Sequence, residues 1–419
     1  MDLKTKSLYK QLIGDSFYYL LTKIIPGITG LLSVIFFVRY IGVEGYGKFS
    51  ILYSFIMAVG ALSSGWLNQG ILRYYSLDGQ KAKFSQNIFY GLTLSVLISF
   101  IFLFLSNKLF LKLNYLSFGT AFLLLISIIL FRLKTSLLQA DLSAYKVSKV
   151  TAIQSLLGLL IPLIILLFIN NYLGILVGLS IAYILTGYNF LNKNHTFYSF
   201  SFRKNNKFLY KYYKFGIPTS LRISIGLLIP FIDRWLIMIF YDESLTGIYS
   251  SYSEIIIKVF AIILFPITLA IHPLVNKFWN NGKKNIAFSI LKKAIGIYFA
   301  IFIIAVFFLL AFDNSLFYLI QKLIPDITNN FKNLLVPIFI SGFLWQLSLL
   351  IHKPLELAEK PINMVYAIVI ALCFSFVGNI ILIPKIGLIA VAYNSLISST
   401  VYILVVLFFI KTNKNINFY

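Results

Sequence analysis

The sequence is built from apolar runs that are each long enough to cross the hydrocarbon core of a membrane. A membrane-spanning helix needs about 20 mostly apolar residues, because lipid cannot hydrogen-bond to exposed backbone groups. The runs lie at residues 13–38, 49–72, 84–106, 113–131, 150–169, 172–191, 215–240, 245–275, 294–312, 333–351, 361–383 and 386–410. Hydrophobic residues fill 59% of the 419 positions and charged residues only 12%, a composition foreign to soluble domains. The runs predict an all-α integral membrane protein with twelve transmembrane helices.

Residue types that hold metals and cofactors are scarce. Cys373 is the single cysteine, which excludes an internal disulfide, and the three histidines (His195, His272 and His352) are far apart in the sequence. The sequence also lacks the Gly-x-x-x-x-Gly-Lys-Ser/Thr loop that binds nucleotide phosphates. We therefore expect no metal site, no cofactor and no catalytic residue.

Lysine and arginine are distributed unevenly between alternate loops. With a cytoplasmic N-terminus, 25 of the 36 basic residues fall in inside segments, among them residues 132–149, and 8 fall in outside segments. Cytoplasmic loops are typically enriched in Lys and Arg, so this asymmetry predicts that both termini are cytoplasmic. It also accounts for the net charge of +23 without a nucleic-acid partner.

Short motifs recur at a spacing of about half the chain. The segment Gly47-Lys-Phe49 opens one apolar run, and Gly247-Ile-Tyr249 opens another 200 residues later. Gly174 and Gly387 likewise follow very short outside turns and are 213 residues apart. Two parallel six-helix bundles around a central cavity are a known transporter plan, so we expect bundles at residues 1–200 and 201–419. Chance similarity between apolar segments is the alternative.

Several of these motifs also resemble a known family in their order and spacing. The relevant segments are Arg39-Tyr-Ile-Gly-Val-Glu-Gly-Tyr-Gly-Lys-Phe-Ser50, then Gly216-Ile-Pro218, Asp233-Arg234 and Gly247-Ile-Tyr249, and finally Asn379-Ile-Ile-Leu-Ile-Pro384 with Gly387. Over the whole chain this order resembles the polysaccharide flippases of the multidrug/oligosaccharidyl-lipid/polysaccharide exporter superfamily. The resemblance implies a Wzx-type O-antigen flippase of lipopolysaccharide synthesis in the bacterial inner membrane. Such a protein moves undecaprenyl-diphosphate-linked oligosaccharide to the outer leaflet, and a glycan polymerase complex is a possible partner.

Two cations interrupt apolar runs at equivalent places in the two expected bundles. Lys23 lies in run 13–38 and Arg222 in run 215–240, each on a helical face of small or polar residues. Ionisable residues inside a membrane usually face a cavity or a partner, and cations there would compensate the charge of a diphosphate. We expect both to bind the diphosphate. The alternative is that each side chain reaches the cytoplasmic headgroups.

Four further charges in the spans come in two pairs. Glu254 and Lys258 are four residues apart, so they share one helical face and could form an ion pair. Alternatively, Glu254 titrates and couples transport to a proton gradient while Lys258 joins the phosphate site. Asp233 and Arg234, at the outer end of run 215–240, are expected to form a local salt bridge or gate contact.

The mechanism that these features favour is alternating access driven by an ion gradient, the membrane potential or removal of the product. A multidrug or small-cation antiporter of the same superfamily is the first alternative, but its cavity should be neutral or acidic. A membrane-embedded glycan polymerase or acyltransferase is the second. It would need a large outside loop with catalytic charge or a histidine deep in the membrane, and neither is present. We therefore expect a transporter rather than an enzyme.

Overall fold

The computed structural model describes residues 3–78, 84–188, 206–324 and 326–413, without the side chains at 3–20, 23, 76–78, 84–86 and 206–208. These residues are almost entirely helical. The α-helices are α1 (Leu3–Asp78), α2 (Phe84–Ser106), α3 (Tyr115–Ala140), α4 (Ala144–Leu166), α5 (Tyr172–Tyr188), α6 (Asn206–Phe240), α7 (Glu243–Asn280), α8 (Lys284–Ala311), α9 (Asp313–Leu323), α10 (Leu335–Ile351), α11 (Lys353–Leu357), α12 (Pro361–Ile386) and α13 (Ile389–Thr412). A π-helical turn, Asn107–Leu111, follows α2, and a 3-10 turn, Asn329–Leu334, precedes α10.

The first helix contains two of the predicted spans. Gly42 interrupts it with φ 73° and ψ 171°, a conformation that glycine adopts without steric cost. The runs 13–38 and 49–72 lie on either side of this residue. The break therefore replaces a loop between two membrane crossings.

Among the described residues, ten helices have the length and apolar composition to cross a membrane, and α1 counts once in that number. Helix α5, with 17 residues, is a shorter apolar helix at the sixth predicted run. Large apolar side chains face outward along these helices. On α8, for instance, Ile303, Phe307 and Leu310 are 65%, 67% and 72% exposed at helical spacing. The prediction of an all-α multi-pass membrane protein is confirmed.

The chain forms two compact units. The first unit comprises Met1–Ser50 and Ile229–Tyr419, and the second comprises Ile51–Leu228. In the second unit, Trp66, Leu67, Ile88, Leu133 and Tyr212 belong to one buried cluster. The indole ring of Trp66 also stacks on the ring of Tyr213, with 4.2 Å between centroids. The second unit therefore has an apolar core of its own.

Within the first unit, α1 and α7 are in backbone contact. A Cβ atom at Gly47 would lie 2.0 Å from the carbonyl oxygen of Glu243, and one at Gly247 would lie 1.7 Å from the carbonyl oxygen of Val43. Any larger residue at either position would overlap the opposite backbone. These are the two glycines that open the repeated motif, so the motif encodes a close helix crossing.

Candidate functional site

Three charged side chains meet in the first unit, at the contact of α6 and α7. The Nη2 atom of Arg234 lies 2.7 Å from Oε1 of Glu254, and Nζ of Lys258 lies 2.8 Å from Oε2. The exposed fraction of the side chain is 9% for Arg234, 19% for Glu254 and 29% for Lys258. One carboxylate therefore binds one cation through each oxygen, and the cluster keeps a surplus positive charge.

Both cations also bind the backbone of α1. Arg234 donates through Nη1 to the carbonyl oxygen of Ser50 at 3.0 Å, and Lys258 donates through Nζ to that of Gly30 at 3.1 Å. Buried ions are costly unless their remaining donors find acceptors. The two carbonyls meet that need, so the charge cluster joins α1, α6 and α7 within the first unit.

Asp233 points to a different set of partners, because consecutive residues of an α-helix face directions about 100° apart. Its Oδ1 atom accepts hydrogen bonds from Ser375 Oγ at 2.9 Å and from Asn379 Nδ2 at 2.6 Å. Asn394 of α13 extends this network by donating to the Ser375 carbonyl oxygen at 2.6 Å. The Oδ1 atom of Asn379 is buried without a hydrogen bond from the described part of the chain. The carboxylate is thus held by neutral polar groups of α12.

The structure accordingly brings together some of the predicted site residues. Arg234, Glu254 and Lys258 form one cluster, and Asp233 begins the neighbouring network on α12. Arg222 lies on α6 in the second unit, where it is half-buried and makes no hydrogen bond or ion pair with the part of the chain that the structure describes. The backbone of Lys23 is helical within α1, but its side chain lies outside the described residues.

Sequence reasoning did not identify several polar residues near these sites. Ser375, Asn379 and Asn394 are fully buried in helices that read as apolar runs. The predicted apolar run ends at residue 131 and places Arg132 in the inside segment 132–149, but the helix does not end there. Helix α3 continues past Arg132 to Ala140, and the side chains of Leu133 and Leu137 beyond it are buried in the core. An asparagine inside an apolar run, as at Asn379 and Asn394, is the sequence signal that could have marked this polar network.

The fold and these charges define a class of protein. A multi-pass helical membrane protein that holds paired and unpaired charges inside its spans has the features of a transporter. The sequence also matches the model of the polysaccharide biosynthesis protein family over residues 12–279, which is more than half of the chain. The chain therefore belongs to the family of polysaccharide biosynthesis proteins. No curated protein matches the sequence at a significant level.

Solved structures share the fold at low sequence identity. The chain is similar to the lipid II flippase MurJ in an inward closed conformation, with a TM-score of 0.72, 16% identity, and coverage of 96% of this chain and 89% of that one. It is also similar to an inward-facing multidrug resistance MATE family transporter of the MOP superfamily (TM-score 0.69, 16% identity, coverage 94% and 97%). A third match is the MATE multidrug transporter DinF-BH (TM-score 0.69, 18% identity, coverage 100% and 98%). These similarities confirm the predicted fold class of twelve membrane helices in repeated bundles.

Proposed function

We propose that this protein is a lipid-linked oligosaccharide flippase. It would move prenyl-diphosphate-linked glycan repeat units from the cytoplasmic to the outer leaflet by alternating access, in the synthesis of a surface polysaccharide such as O-antigen. Membership of the polysaccharide biosynthesis family supports this proposal. The fold shared with a protein described as a lipid II flippase is compatible with it. The proposal places the protein in the bacterial inner membrane with both termini cytoplasmic and leaves a glycan polymerase complex as a possible partner.

The observation that carries the proposal is that Arg222 has no counter-charge among the described residues. Its guanidinium lies inside a helix that is apolar enough to span a membrane, and no carboxylate among the described residues pairs with it. An unpaired charge in this environment is expensive and is normally retained for a ligand. A guanidinium binds phosphate oxygens through paired hydrogen bonds, so a diphosphate headgroup is the ligand that suits it.

The other predicted ligands have more restricted roles within the proposal. Lys258 uses two of its three N–H groups on Glu254 and Gly30, so one donor is left for a phosphate oxygen. Lys23 remains a proposed diphosphate ligand on α1. Glu254 is neutralised by two cations, which favours the structural role over proton coupling. The energy for transport would come from an ion gradient, the membrane potential or removal of the product.

A multidrug or cation antiporter is the second candidate function, because the MATE transporters share the fold. Such a protein needs an available carboxylate to attract a cation. Glu254 is paired with Arg234 and Lys258, and Asp233 is hydrogen-bonded to Ser375 and Asn379. These are the carboxylates of the predicted runs whose side chains the structure describes, and their contacts favour an anionic substrate over a cationic one.

Deletion of the gene in its own host distinguishes the two functions. A flippase deletion should abolish surface polysaccharide and cause complete prenyl-diphosphate-linked repeat units to accumulate facing the cytoplasm. Lipid extraction from inverted vesicles, followed by mass spectrometry, would measure that accumulation. Unchanged surface glycan together with new sensitivity to cationic drugs would reject the flippase and support the antiporter.

A further inference from the structure

A second polar cluster lies inside the second unit and involves four helices. Arg132 of α3 interacts electrostatically with Tyr53 on α1 and Tyr183 on α5. The Tyr183 hydroxyl is hydrogen-bonded with the side chains of Tyr53 and Gln154, the latter on α4. The side chains of one guanidinium, two phenols and one amide therefore converge on one place. None of them belongs to the charge cluster of the first unit.

The position of this cluster is within membrane-spanning helices. Arg132 is seventeen residues after Tyr115, so it lies about 25 Å along α3. The side chains of Arg132, Tyr53, Tyr183 and Gln154 are all half-buried. Leu133, the next residue of α3, is only 3% exposed. These four polar residues are thus only partly enclosed, while the neighbouring apolar residue forms the core.

The guanidinium of Arg132 has no counter-charge among the residues that the structure describes. Its Nη2 atom lies 3.7 Å from the thioether sulfur of Met57, which is a weak acceptor. Arg234, by contrast, donates to a carboxylate and to a carbonyl oxygen. Lys134, two residues beyond Arg132, is also satisfied because it donates to the Thr186 carbonyl oxygen. Arg132 therefore keeps strong donors without a strong acceptor among the described residues, and an anion would complete its hydrogen bonds.

We propose that Arg132, Tyr53, Tyr183 and Gln154 form a binding subsite for one oxyanion of the transported substrate. The guanidinium would hold the oxyanion by paired hydrogen bonds, and the phenols and amide would bind adjacent hydroxyl groups. Two parts of a lipid-linked glycan carry this chemistry, namely the carboxylate of an acidic sugar and the diphosphate linkage. The single positive charge and the surrounding hydroxyl and amide groups suit the carboxylate better. This inference rests on the proposed function for the nature of the ligand.

Binding can be tested on the purified full-length protein by thermal unfolding at constant ionic strength. Sodium glucuronate and sodium pyrophosphate are each compared with sodium chloride. At least one of the two anions should raise the Tm of the wild type, and Arg132→Gln should lose that shift. Arg132→Lys should keep part of it, and Tyr183→Phe should reduce it. Lys149→Gln, which removes an exposed cation from α4, serves as the matched control and should keep the full shift.

The Tm shifts distinguish an acidic sugar from a diphosphate and can also overturn the subsite. A shift in glucuronate that depends on Arg132 identifies an acidic sugar, whereas a shift confined to pyrophosphate assigns the subsite to the diphosphate. Equal shifts in wild type and Arg132→Gln, or no shift in the wild type with either anion, overturn the subsite. Arg132→Lys keeps the test valid if Arg132→Gln does not fold.

The host experiment separates this inference from the proposed function. If the deletion strain accumulates lipid-linked glycan while Arg132→Gln binds both anions like the wild type, the subsite fails and the flippase stands. If the deletion strain displays normal surface glycan, the flippase fails whatever the anion shifts are.

Discussion

The hydroxyl groups of Ser50 and Ser250 are hydrogen-bonded at 3.0 Å, although the two residues are 200 positions apart. The same offset relates Val43 to Glu243 and Gly47 to Gly247, whose helices approach each other reciprocally. A reciprocal contact between equivalent residues is what a two-fold relation between two copies of a segment produces. This contact supports the expectation of an internal repeat, and the bundle boundaries at residues 1–200 and 201–419 remain a prediction.

The close crossing of α1 and α7 should not tolerate a methyl group. Gly47→Ala and Gly247→Ala each place a Cβ atom against an opposing carbonyl, so we expect each to cost about 1–3 kcal/mol of stability. The measurement is the Tm of the detergent-purified protein followed by intrinsic tryptophan fluorescence. Gly296→Ala in α8 is the control, because no atom of the described chain lies within 4 Å of the position its methyl group would take, and alanine favours helix. A Tm for Gly247→Ala equal to that of the control would contradict the contact.

The charge cluster should respond unequally to loss of its members. Glu254→Gln leaves both Arg234 and Lys258 without a counter-charge, and loss of one partner from a buried ion pair costs about 3–5 kcal/mol. Lys258→Gln should cost less, because Glu254 keeps Arg234 at 2.7 Å. Chemical unfolding in mild detergent would rank the variants. Glu44→Gln, which removes an exposed pair with Lys48, should leave stability unchanged. A larger loss for Lys258→Gln than for Glu254→Gln would disprove this arrangement.

The contact of Asp233 with Asn379 allows an exchange experiment. Asn379→Asp places two carboxylates in contact, and Asp233→Asn removes the charged acceptor, so both single variants should lower the Tm. The double variant Asp233→Asn with Asn379→Asp restores one amide and one carboxylate at the same contact. It should therefore recover part of the stability lost by Asn379→Asp. Strictly additive losses in a double-mutant cycle would mean that the two side chains do not interact.

Arg222 is predicted to affect transport more than stability. Arg222→Gln removes the charge-assisted hydrogen bond to phosphate that we propose, so surface glycan should fall by about tenfold or more. Arg222→Lys should retain part of the activity, because it keeps the charge but not the planar fork. Glycan on intact cells and protein in isolated membranes should be quantified together, with Lys149→Gln as the control. Normal glycan in Arg222→Gln would remove this residue from the site.

The sequence predicted the membrane helices well, because hydropathy records contact with lipid along a continuous segment. It also placed Glu254 and Lys258 on one helical face, since a spacing of four residues is a local property. The contact of Arg234 with Glu254 and that of Asp233 with Asn379 depend on how separate helices pack, which helical periodicity does not encode.

The helix that carries Arg132 is longer than the apolar run 113–131 that predicts it. A charge after an apolar run is normally interpreted as the end of the span, because lipid would not tolerate it. Arg132 interacts with Tyr53, Tyr183 and Met57, and α3 continues through this position. Hydropathy alone does not distinguish a side chain that faces protein from one that faces the bilayer.

The attachment of Arg234 and Lys258 to α1 through main-chain oxygens bears on how the family has diversified. The bonds of both cations to α1 end on carbonyl oxygens, so these hydrogen bonds do not depend on the side-chain types at positions 30 and 50. A change at Glu254, by contrast, alters the charge that both cations require. Related sequences should therefore show covariation among Arg234, Glu254 and Lys258, while the hydrogen bonds of the two cations to the backbone of α1 should require no covariation with it.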